Sequence, residues 1–497
     1  MTASVNILDF HAVPDGETLN TVAIQSAIDT AAAAGGGTVL VPPGCYLTGT
    51  IFLKSHVTLE LAHGATLLGS GRLEDYTPVR WGHHMDRTPW HLVMADGVED
   101  IGIIGRGTIS GNGPEFWKHP RRSEWHFWVE EPHRPSPMVE ISNCRDIRIT
   151  DILLENPAGW TLHLHDSDRA VIRGIRIEAE LFGPNTDGID LTGCHDVAIS
   201  DCLIKAGDDA IALKTTVDSR DCRNIAVTNC VLETNCCAIR VGHESAQDFR
   251  FCTFSNCVIK RCSRAIDILN LSGCVIEHIQ FSNIVGSTNC GWPFNRPIQI
   301  QCMPIEDLYV SNLPPEHPRH GEHDTPAHSG IIRDIRFSEI DMETDGRVTI
   351  GAVHGSVIEN ITFRDLHLRY PFIDDPAVLA EIDASTTFFP SEELAEFRGA
   401  RAAIVARNVR DLVIDGLALS FDDGPVRDDW HILRSELRHI NETFYAGNED
   451  ALRSRETAAP FGVLWGRALD GGRLTLLKSP PSWVNEADVD PDSRFEL

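Results

Sequence analysis

A pattern that recurs about every 27 residues constrains the fold of this chain more than any other feature. It consists of Asp or Asn, an aliphatic residue, any residue, an aliphatic residue or Phe, and then a polar residue that is followed by an apolar one. Weaker copies start at Ala170 and Cys252. The first aliphatic residue of the clear copies is Ile147, Val197, Ile225, Ile279, Ile335, Ile361 and Leu412. A period of this length is typical of solenoid proteins.

A second column of short apolar strands runs through the same region. Its central aliphatic residues are Leu162, Ile189, Ile211, Ile239 and Ile266, at steps of 27, 22, 28 and 27 residues. Short strands with Gly, Asn and Asp at the bends predict an all-β fold, a right-handed parallel β-helix. Each coil buries its apolar side only against its neighbours, so we expect one long domain. A polar residue at one turn position predicts a side-chain ladder, formed by Asp151, Asp201, Asn229, Asn256 and Asn283.

The remaining segments are expected to cap or interrupt the solenoid. Residues 1–70 predict an N-terminal cap and the first coils, with a short helix whose apolar face holds Val22, Ile24, Ala27, Ile28 and Ala31 and which ends at Gly35 to Gly37. Residues 71–420 predict the β-helix itself, with loop insertions at about 72–137, 303–330 and 371–400. Residues 421–497 lose the period, and we interpret them as a C-terminal cap and tail with a helix-like segment from Asp428 to Phe444.

The first insertion is rich in tryptophan. Residues 72–137 hold half of the ten tryptophans of the chain, namely Trp81, Trp90, Trp117, Trp125 and Trp128. Sugar rings stack on flat apolar faces, so these loops are candidates for the walls of a saccharide cleft. A loop that folds onto the helix with its own small core would carry the same residues. The histidines of the second insertion lack the spacing of metal ligands, which favours a solvated loop.

The charge of the chain limits its partners. With 43 basic and 72 acidic residues the net charge is −29, which argues against nucleic acid and anionic membrane surfaces as partners. No apolar run is long enough for a transmembrane helix. The first residues lack a basic start followed by an apolar run, so we expect a cytoplasmic location, although a secreted protein without its signal would look the same. The sequence does not predict an oligomeric state.

The fourteen cysteines follow the repeat rather than a disulfide or metal pattern. Cys202, Cys230 and Cys257 occupy the repeat position that Ile152 and Ile284 fill in other copies. A position that accepts Cys or Ile is a buried apolar position. We therefore expect these thiols in the core, and we predict no metal and no cofactor.

Acidic residues precede two similar strands. Asp187 lies in N-T-D-G-I-D, and Asp208 and Asp209 lie in G-D-D-A-I-A-L-K, 22 residues further on, so we expect them one coil apart, about 4.8 Å along the axis. Two carboxylates on neighbouring coils suit glycosidic cleavage, which needs a proton donor and, with inversion, a base that activates water. The adjacent charge of Asp208 and Asp209 favours the protonated form of one of them. Aspartates that only cap turns are the alternative.

These motifs resemble the polygalacturonase family of glycoside hydrolases, which are pectin-cleaving right-handed β-helix enzymes. The resemblance covers roughly residues 5–420 and includes D-F-H-A-V-P-D-G, V-P-P-G-C-Y-L-T-G, G-N-G and N-P-A-G-W-T-L-H, with N-T-D-G-I-D and G-D-D as the strongest matches. It implies that Asp208 is the general acid, that Asp187 and Asp209 hold and activate the water, and that the anomeric carbon is inverted.

Two departures from the family pattern concern the substrate. Cys237 stands where the family has a histidine, and His243 is a candidate substitute. The family's R-I-K, which binds the galacturonate carboxylate, aligns with D-I-L at Asp267 to Leu269, and neither Asp nor Leu can pair with a carboxylate. A neutral or differently decorated sugar is therefore expected. The candidate substrate-binding residues are Asn185, Trp160, His163, Asp190, Lys214, Arg240, His243, Arg264 and Asp267.

The sequence thus predicts an inverting glycoside hydrolase that acts on an oligo- or polysaccharide, with altered sugar specificity. One alternative is a β-helix polysaccharide lyase, epimerase or glycosyl-transferring enzyme that uses the same acidic cleft. The other is a non-catalytic carbohydrate-binding β-helix.

Overall fold

The structure is a computed structural model that describes residues 3–79, 87–118, 129–130, 133–288, 295–303, 329–344, 346–353, 355–370, 402–421, 462–480 and 484–497. The chain divides into two compact units, with the division between Val231 and Leu232. The described part contains one α-helix, α1 (Thr21–Ala33), and three short 3-10 helices, Ile7–Phe10, Leu73–Asp75 and Gly113–Phe116. No helix in the described part is long and apolar enough to cross a membrane.

The strands of the first unit are β1 (Ala3–Asn6), β2 (Asp15–Leu19), β3 (Gly37–Val41), β4 (Gly44–Thr48), β5 (Ile51–Phe52), β6 (Val57–Leu61), β7 (Ala65–Gly69), β8 (Val93–Asp96), β9 (Glu99–Gly105), β10 (Thr108–Ser110), β11 (Trp117–Lys118), β12 (Val129–Glu130), β13 (Val139–Ser142), β14 (Arg145–Thr150), β15 (Leu153–Glu155), β16 (Leu162–His165), β17 (Asp168–Arg173), β18 (Arg176–Glu178), β19 (Ile189–Thr192), β20 (His195–Ser200), β21 (Leu203–Ala206), β22 (Ile211–Thr215) and β23 (Cys222–Thr228). Strand β24 (Val231–Thr234) contains the division.

The strands of the second unit are β25 (Cys237–Ser245), β26 (Phe249–Arg261), β27 (Arg264–Asn270), β28 (Val275–Thr288), β29 (Arg296–Cys302), β30 (Ile331–Thr344), β31 (Val348–Ala352), β32 (Val357–Tyr370), β33 (Ala402–Phe421), β34 (Gly462–Leu476), β35 (Asn485–Val489) and β36 (Arg494–Glu496).

Each unit is a stack of coils whose strands pair in parallel. In the first unit the predicted columns align as Ile147, Ala170, Val197 and Ile225 on β14, β17, β20 and β23, and as Leu162, Ile189 and Ile211 on β16, β19 and β22. In the second unit Cys252, Ile279, Ile335, Ile361 and Leu412 align on β26, β28, β30, β32 and β33. The predicted fold class, an all-β right-handed parallel β-helix, is confirmed.

The core is formed by the side chains that point into the coils. Cys202, Cys230 and Cys257 are buried, as predicted, and the cysteines of the described ranges are free thiols. In the second unit a ladder of four buried aromatic rings stacks at 5.0, 5.0 and 4.7 Å between centroids, in the order Phe254, Phe281, Phe337 and Phe363. Repeated positions therefore hold like side chains from coil to coil.

Helix α1 packs against the first coils, as predicted. Its buried residues are Ile24, Ala27, Ile28 and Ala31. Gln25 joins the helix to β5, because its amide both donates to the backbone oxygen of Phe52 at 3.1 Å and accepts from its backbone nitrogen at 2.8 Å. The prediction was wrong for Val22, which lies in the first turn of the helix and is 80% exposed.

Two pairs of the predicted turn ladder form hydrogen bonds, one pair in each unit. Asn229 Nδ2 donates to Asp201 Oδ1 at 3.2 Å in the first unit, and Asn283 Nδ2 donates to Asn256 Oδ1 at 2.8 Å in the second. All four residues have a positive φ of 50 to 58°. Asn and Asp tolerate this left-handed conformation better than other side chains do, which explains their repetition at the turn.

The period continues beyond residue 421, contrary to the sequence interpretation. Strand β34 pairs in parallel with β33, with Ile404 opposite Leu464, and β35 and β36 pair with β34 in turn. The pattern was missed because β34 carries glycines where earlier coils carry aliphatic residues, for example Gly472 opposite Leu412. The predicted helix from Asp428 to Phe444 lies outside the described residues, as do nearly all of 303–330 and 371–400.

Only part of the tryptophan-rich insertion is described. Trp81, Trp125 and Trp128 lie outside the described residues. Trp117 is buried, and its indole nitrogen donates to the backbone oxygen of Ala158 at 3.1 Å. This contact matches the alternative interpretation of a loop with its own small core, because a ring packed in this way has no face for a sugar.

Candidate active site

Three carboxylates converge in the first unit. Asp187 lies two residues before β19, and Asp209 lies two residues before β22, with Asp208 next to it, at the register that pairs Ile189 with Ile211. One carboxylate oxygen from each aspartate lies within 4.8 Å of the other two. Asp187 and Asp209 are buried, at 2% and 4% exposure, whereas Asp208 is half-buried. The predicted spacing of one coil is therefore confirmed, and the acids differ in their access to solvent.

Glycines allow this close approach. A Cβ at Gly207 would overlap the hydroxyl of Thr186, and a Cβ at Gly188 would overlap the backbone oxygen of Ala210. The coils are joined at the same place by the backbone nitrogen of Gly188, which donates to the oxygen of Asp209 at 2.8 Å. Side chains here would push apart the two turns that carry the carboxylates.

An ammonium group lies among the acids. Lys214 Nζ is 3.3 Å from Asp187 Oδ2 and 3.1 Å from Asp190 Oδ1, and it sits 3.8 Å from the ring centroid of Trp160. Lys214 is 4% exposed, and Asp190 and Trp160 are also buried. The sequence suggested that these three residues contact substrate. In the structure Asp190 and Trp160 contact Lys214, and Lys214 contacts Asp187.

Asp187 has an unusual environment. Burial, together with the charges of Asp190, Asp208 and Asp209, raises the pKa of its carboxyl well above the usual value, although Lys214 acts in the opposite direction. Its Oδ1 is buried and accepts no hydrogen bond from the described part of the protein. A bound water molecule would satisfy this buried oxygen, because buried polar atoms are usually hydrogen-bonded.

Hard cations also bind clustered carboxylates. Asp187, Asp208 and Asp209 have the donor type and the spacing for such an ion. The ammonium of Lys214 already supplies a positive charge at Asp187. The absence of a metal ion stays a prediction.

A buried polar network surrounds His163. Its Nδ1 is 2.7 Å from Glu140 Oε2, and its Nε2 is 2.9 Å from the hydroxyl of Thr192. Glu140 also accepts hydrogen bonds from Arg87 at 2.5 Å and from Ser142 at 2.5 Å. Burial opposes ionisation of Glu140, but Arg87 and His163 outweigh it and hold the pKa of the carboxyl well below its usual value. His163 is thus fixed by the protein rather than presented to substrate.

Sequence reasoning missed Glu140, Arg87 and Arg134. Glu140 shares its register position with His163 and Asp190, so a charged residue between Val139 and Ile141 was the available signal. Arg134 Nη2 donates to Asn185 Oδ1 at 3.3 Å and thereby holds the start of the N-T-D-G-I-D motif. No repeat pattern marks either arginine.

The remaining predicted residues belong to the second unit, where Asp267 is the centre of a buried cluster. Arg240 Nη1 lies 3.1 Å and Arg264 Nε 3.7 Å from Asp267 Oδ2. The thiol of Cys237 donates to the same carboxylate at 3.3 Å, and Gln299 Nε2 donates to its other oxygen at 3.1 Å. Burial raises the pKa of Cys237 well above its usual value, which keeps this thiol protonated. The two arginines predicted to contact sugar are committed to an internal acid.

Leu269 and His243 have separate environments in the second unit. Leu269 is buried in an apolar cluster with Leu271, Met303, Ala402 and Val405. His243 has a positive φ of 70°, and its Nδ1 is 3.6 Å from Glu244 Oε2. Its proposed role as a substitute for the family histidine stays a prediction.

Comparison with known proteins identifies the family. The model of glycosyl hydrolases family 28 matches residues 38–301, which include every predicted site residue. A probable polygalacturonase of Vitis vinifera is 34% identical over 226 residues, 43% of this chain and 45% of the relative. An exo-poly-alpha-D-galacturonosidase of Dickeya chrysanthemi is 27% identical over 42% of this chain and 41% of the relative. The chain thus spans less than half the length of these relatives.

Solved structures support the fold. The exopolygalacturonase of Thermotoga maritima matches with a TM-score of 0.63 and 20% identity, over 84% of this chain and 92% of that chain. The family 28 exopolygalacturonase of Yersinia enterocolitica matches with a TM-score of 0.65 and 16% identity, over 86% and 77%. At these identities the likeness concerns the fold alone. The match to the family model covers more than half of the residues, and the chain therefore belongs to glycosyl hydrolases family 28.

Proposed function

We propose that the protein is an inverting glycoside hydrolase that cleaves glycosidic bonds in an oligosaccharide or polysaccharide of the pectin type. The observation that carries this proposal is the convergence of Asp187, Asp208 and Asp209, whose carboxylate oxygens lie within 4.8 Å of one another. Family membership supports hydrolysis of a glycosidic bond, and three acids provide both the proton donor and the base that hydrolysis with inversion needs.

The spacing suits a water molecule that is shared by two carboxylates. Two hydrogen bonds of about 2.8 Å that meet at a water at about 109° place their acceptor oxygens about 4.6 Å apart. In this mechanism Asp187 and Asp209 hold the water from neighbouring coils and take its proton as it attacks the anomeric carbon. Asp208 is the most exposed of the three, and it protonates the leaving oxygen.

The substrate is proposed to differ from plain galacturonan in the subsite where the bond is cleaved. The similar proteins named above are polygalacturonases or related galacturonan hydrolases. In this chain, however, Asp267 and Leu269 stand where the family pattern has its carboxylate-binding cations, and both are buried in internal contacts. A sugar without a carboxylate, or one with a modified carboxylate, is therefore favoured there.

Retaining hydrolysis is the second candidate, because the three carboxyl groups lie close together. Carboxyl groups about 5 to 5.5 Å apart are typical of retaining enzymes, whereas about 6.5 to 9.5 Å is usual for inverting ones. With retention, one aspartate would attack the sugar directly and no water would lie between the acids in the first step. The configuration of the first product separates the two mechanisms.

Activity on a panel of oligosaccharides tests the proposal. The panel pairs oligogalacturonides with methyl-esterified and neutral galactose-based counterparts, and new reducing ends are measured. We expect hydrolysis, with the uncharged members faster, and a loss of at least about a thousandfold in kcat for Asp208→Asn. Asp196→Asn is the matched control, because Asp196 is an exposed residue on β20 of the same unit. An unsaturated product that absorbs in the ultraviolet would instead identify a lyase.

A further inference from the structure

Lys214 links three neighbouring coils of the first unit. It lies on β22, whereas Asp190 lies on β19. Asp187 and Trp160 lie two residues before the starts of β19 and β16. Its ammonium is 3.3 Å from Asp187 and 3.1 Å from Asp190, and the indole of Trp160 covers one side of it at 3.8 Å. These contacts fix the ammonium between a proposed catalytic carboxylate and a second one.

Burial argues that this lysine is not a ligand of the substrate. Taking a charge out of water costs several kcal/mol unless an opposite charge is in contact, and Lys214 meets this condition with two carboxylates. Asp190 has no exposed surface and no role in the proposed reaction. Its ion pair with Lys214 accounts for the burial of this carboxylate.

The charged groups that act on Asp187 come from two strands and one turn. Asp190 lies on β19, Lys214 lies on β22, and Asp208 and Asp209 lie in the turn before β22. The three acids and burial favour the neutral form of Asp187, and Lys214 favours the ionised form. A base must be ionised before it can take a proton from water.

We propose that Lys214 and Asp190 are positioning residues that together fix the orientation and the charge of Asp187. Lys214 stabilises the ionised carboxylate of Asp187. Asp190 holds Lys214 in place, but its own negative charge repels ionised Asp187. The inference rests on the proposed role of Asp187 as a base. It predicts that removing the charge of Lys214 and removing the charge of Asp190 shift the titration midpoint of Asp187 in opposite directions.

The first test is a titration of the free enzyme, which needs no substrate. Carbon-13 NMR of protein labelled at the aspartate carboxyl groups follows the signal of Asp187, which is assigned by its loss in Asp187→Asn. We expect the midpoint to rise in Lys214→Met and to fall in Asp190→Asn. An unchanged midpoint in both variants, or movement of both in one direction, would overturn the inference whether or not the protein is a hydrolase.

The second test is the pH profile of kcat/KM on the fastest oligosaccharide of the panel. Lys214→Met is expected to lose about tenfold or more at the acid end and to recover toward the wild type as the pH rises. Asp190→Asn is expected to extend activity to lower pH. Lys205→Met, a half-buried lysine on β21, is the control and should leave the profile in place.

A purely structural role would lower kcat equally at every pH, and this result would reject the inference. Lys214→Arg keeps the charge, so it should keep the profile of the wild type. If Lys214→Met does not fold, Lys214→Arg and Asp190→Asn still decide the question. A panel without turnover would count against the hydrolase proposal and leave the NMR titration as the test of Lys214.

Discussion

Glu140→Gln is the substitution that most directly tests the buried polar network beside the proposed acids. Glu140 has no exposed surface, and it contacts Arg87 at 2.5 Å and His163 at 2.7 Å. The change keeps the size and shape of the side chain but removes its charge. Arg87 and His163 then lose their carboxylate in a place from which water is excluded.

The expected cost follows from this burial. Breaking a buried ion pair by neutralising one partner costs about 3 to 5 kcal/mol of unfolding free energy. Glu178→Gln makes the same chemical change in an exposed pair, in which Arg176 Nη2 is 2.9 Å from Glu178 Oε1 and the side chains are 56% and 40% exposed. Exposed pairs contribute about 0 to 1 kcal/mol, so this control should be nearly neutral.

The pH dependence has a defined sign. The pKa of Glu140 lies well below its usual value because Arg87 and His163 outweigh the effect of burial. Its ionisation therefore stabilises the fold fully above the unfolded value of about 4.3, and this contribution is lost as the pH falls toward the pKa of the folded state. The cost of Glu140→Gln should accordingly shrink below about pH 4.

Urea unfolding at a series of pH values, followed by circular dichroism, measures both effects. A cost at pH 7 no larger than that of Glu178→Gln would refute the reasoning. So would a cost that grows as the pH falls below about 4.

Three further predictions concern the acids, the glycine turn and the core. Asp187→Asn should abolish turnover and raise the Tm near neutral pH, with a gain that vanishes below about pH 4. The reason is that the pKa of Asp187 is raised in the folded protein, so its ionisation destabilises the fold above the pKa of the unfolded chain. A lower Tm of the variant at pH 7 would contradict this. Gly207→Ala should reduce kcat without loss of the fold, since its Cβ would displace Thr186 beside the acids; full activity would show that the turn tolerates displacement. Phe337→Ala should cost about 3 to 5 kcal/mol in urea unfolding, because Phe337 is buried and stacks on two rings of the ladder; a cost below about 1 kcal/mol would exclude tight packing there.

The sequence predicts the coils well because a parallel β-helix repeats its register. The 22-residue step from Ile189 to Ile211 departs from the usual period, but aligning the two strands still places Asp187 beside Asp209, as the structure has them. The end of the stack was misjudged because the prediction relied on the apolar pattern of the repeat. Glycines on β34 break the apolar pattern without breaking the backbone pairing.

The environment of the site was less predictable, because it depends on residues outside the repeat. Arg87 meets Glu140 across 53 positions of sequence, and no periodic signal connects them. Asp267 was predicted to contact substrate, yet its charge is balanced by Arg240 and Arg264. A one-dimensional alignment identifies which residue replaces another but gives no information on what that residue contacts.

The configuration of the first product tests the central claim most directly. Proton NMR of a fresh digest of the preferred oligosaccharide shows which anomer of the new reducing end appears before mutarotation. Water held between Asp187 and Asp209 predicts the inverted anomer from the active enzyme, and no product from Asp208→Asn. A first product of retained configuration would contradict the account, because it would require one of the three aspartates to attack the sugar itself.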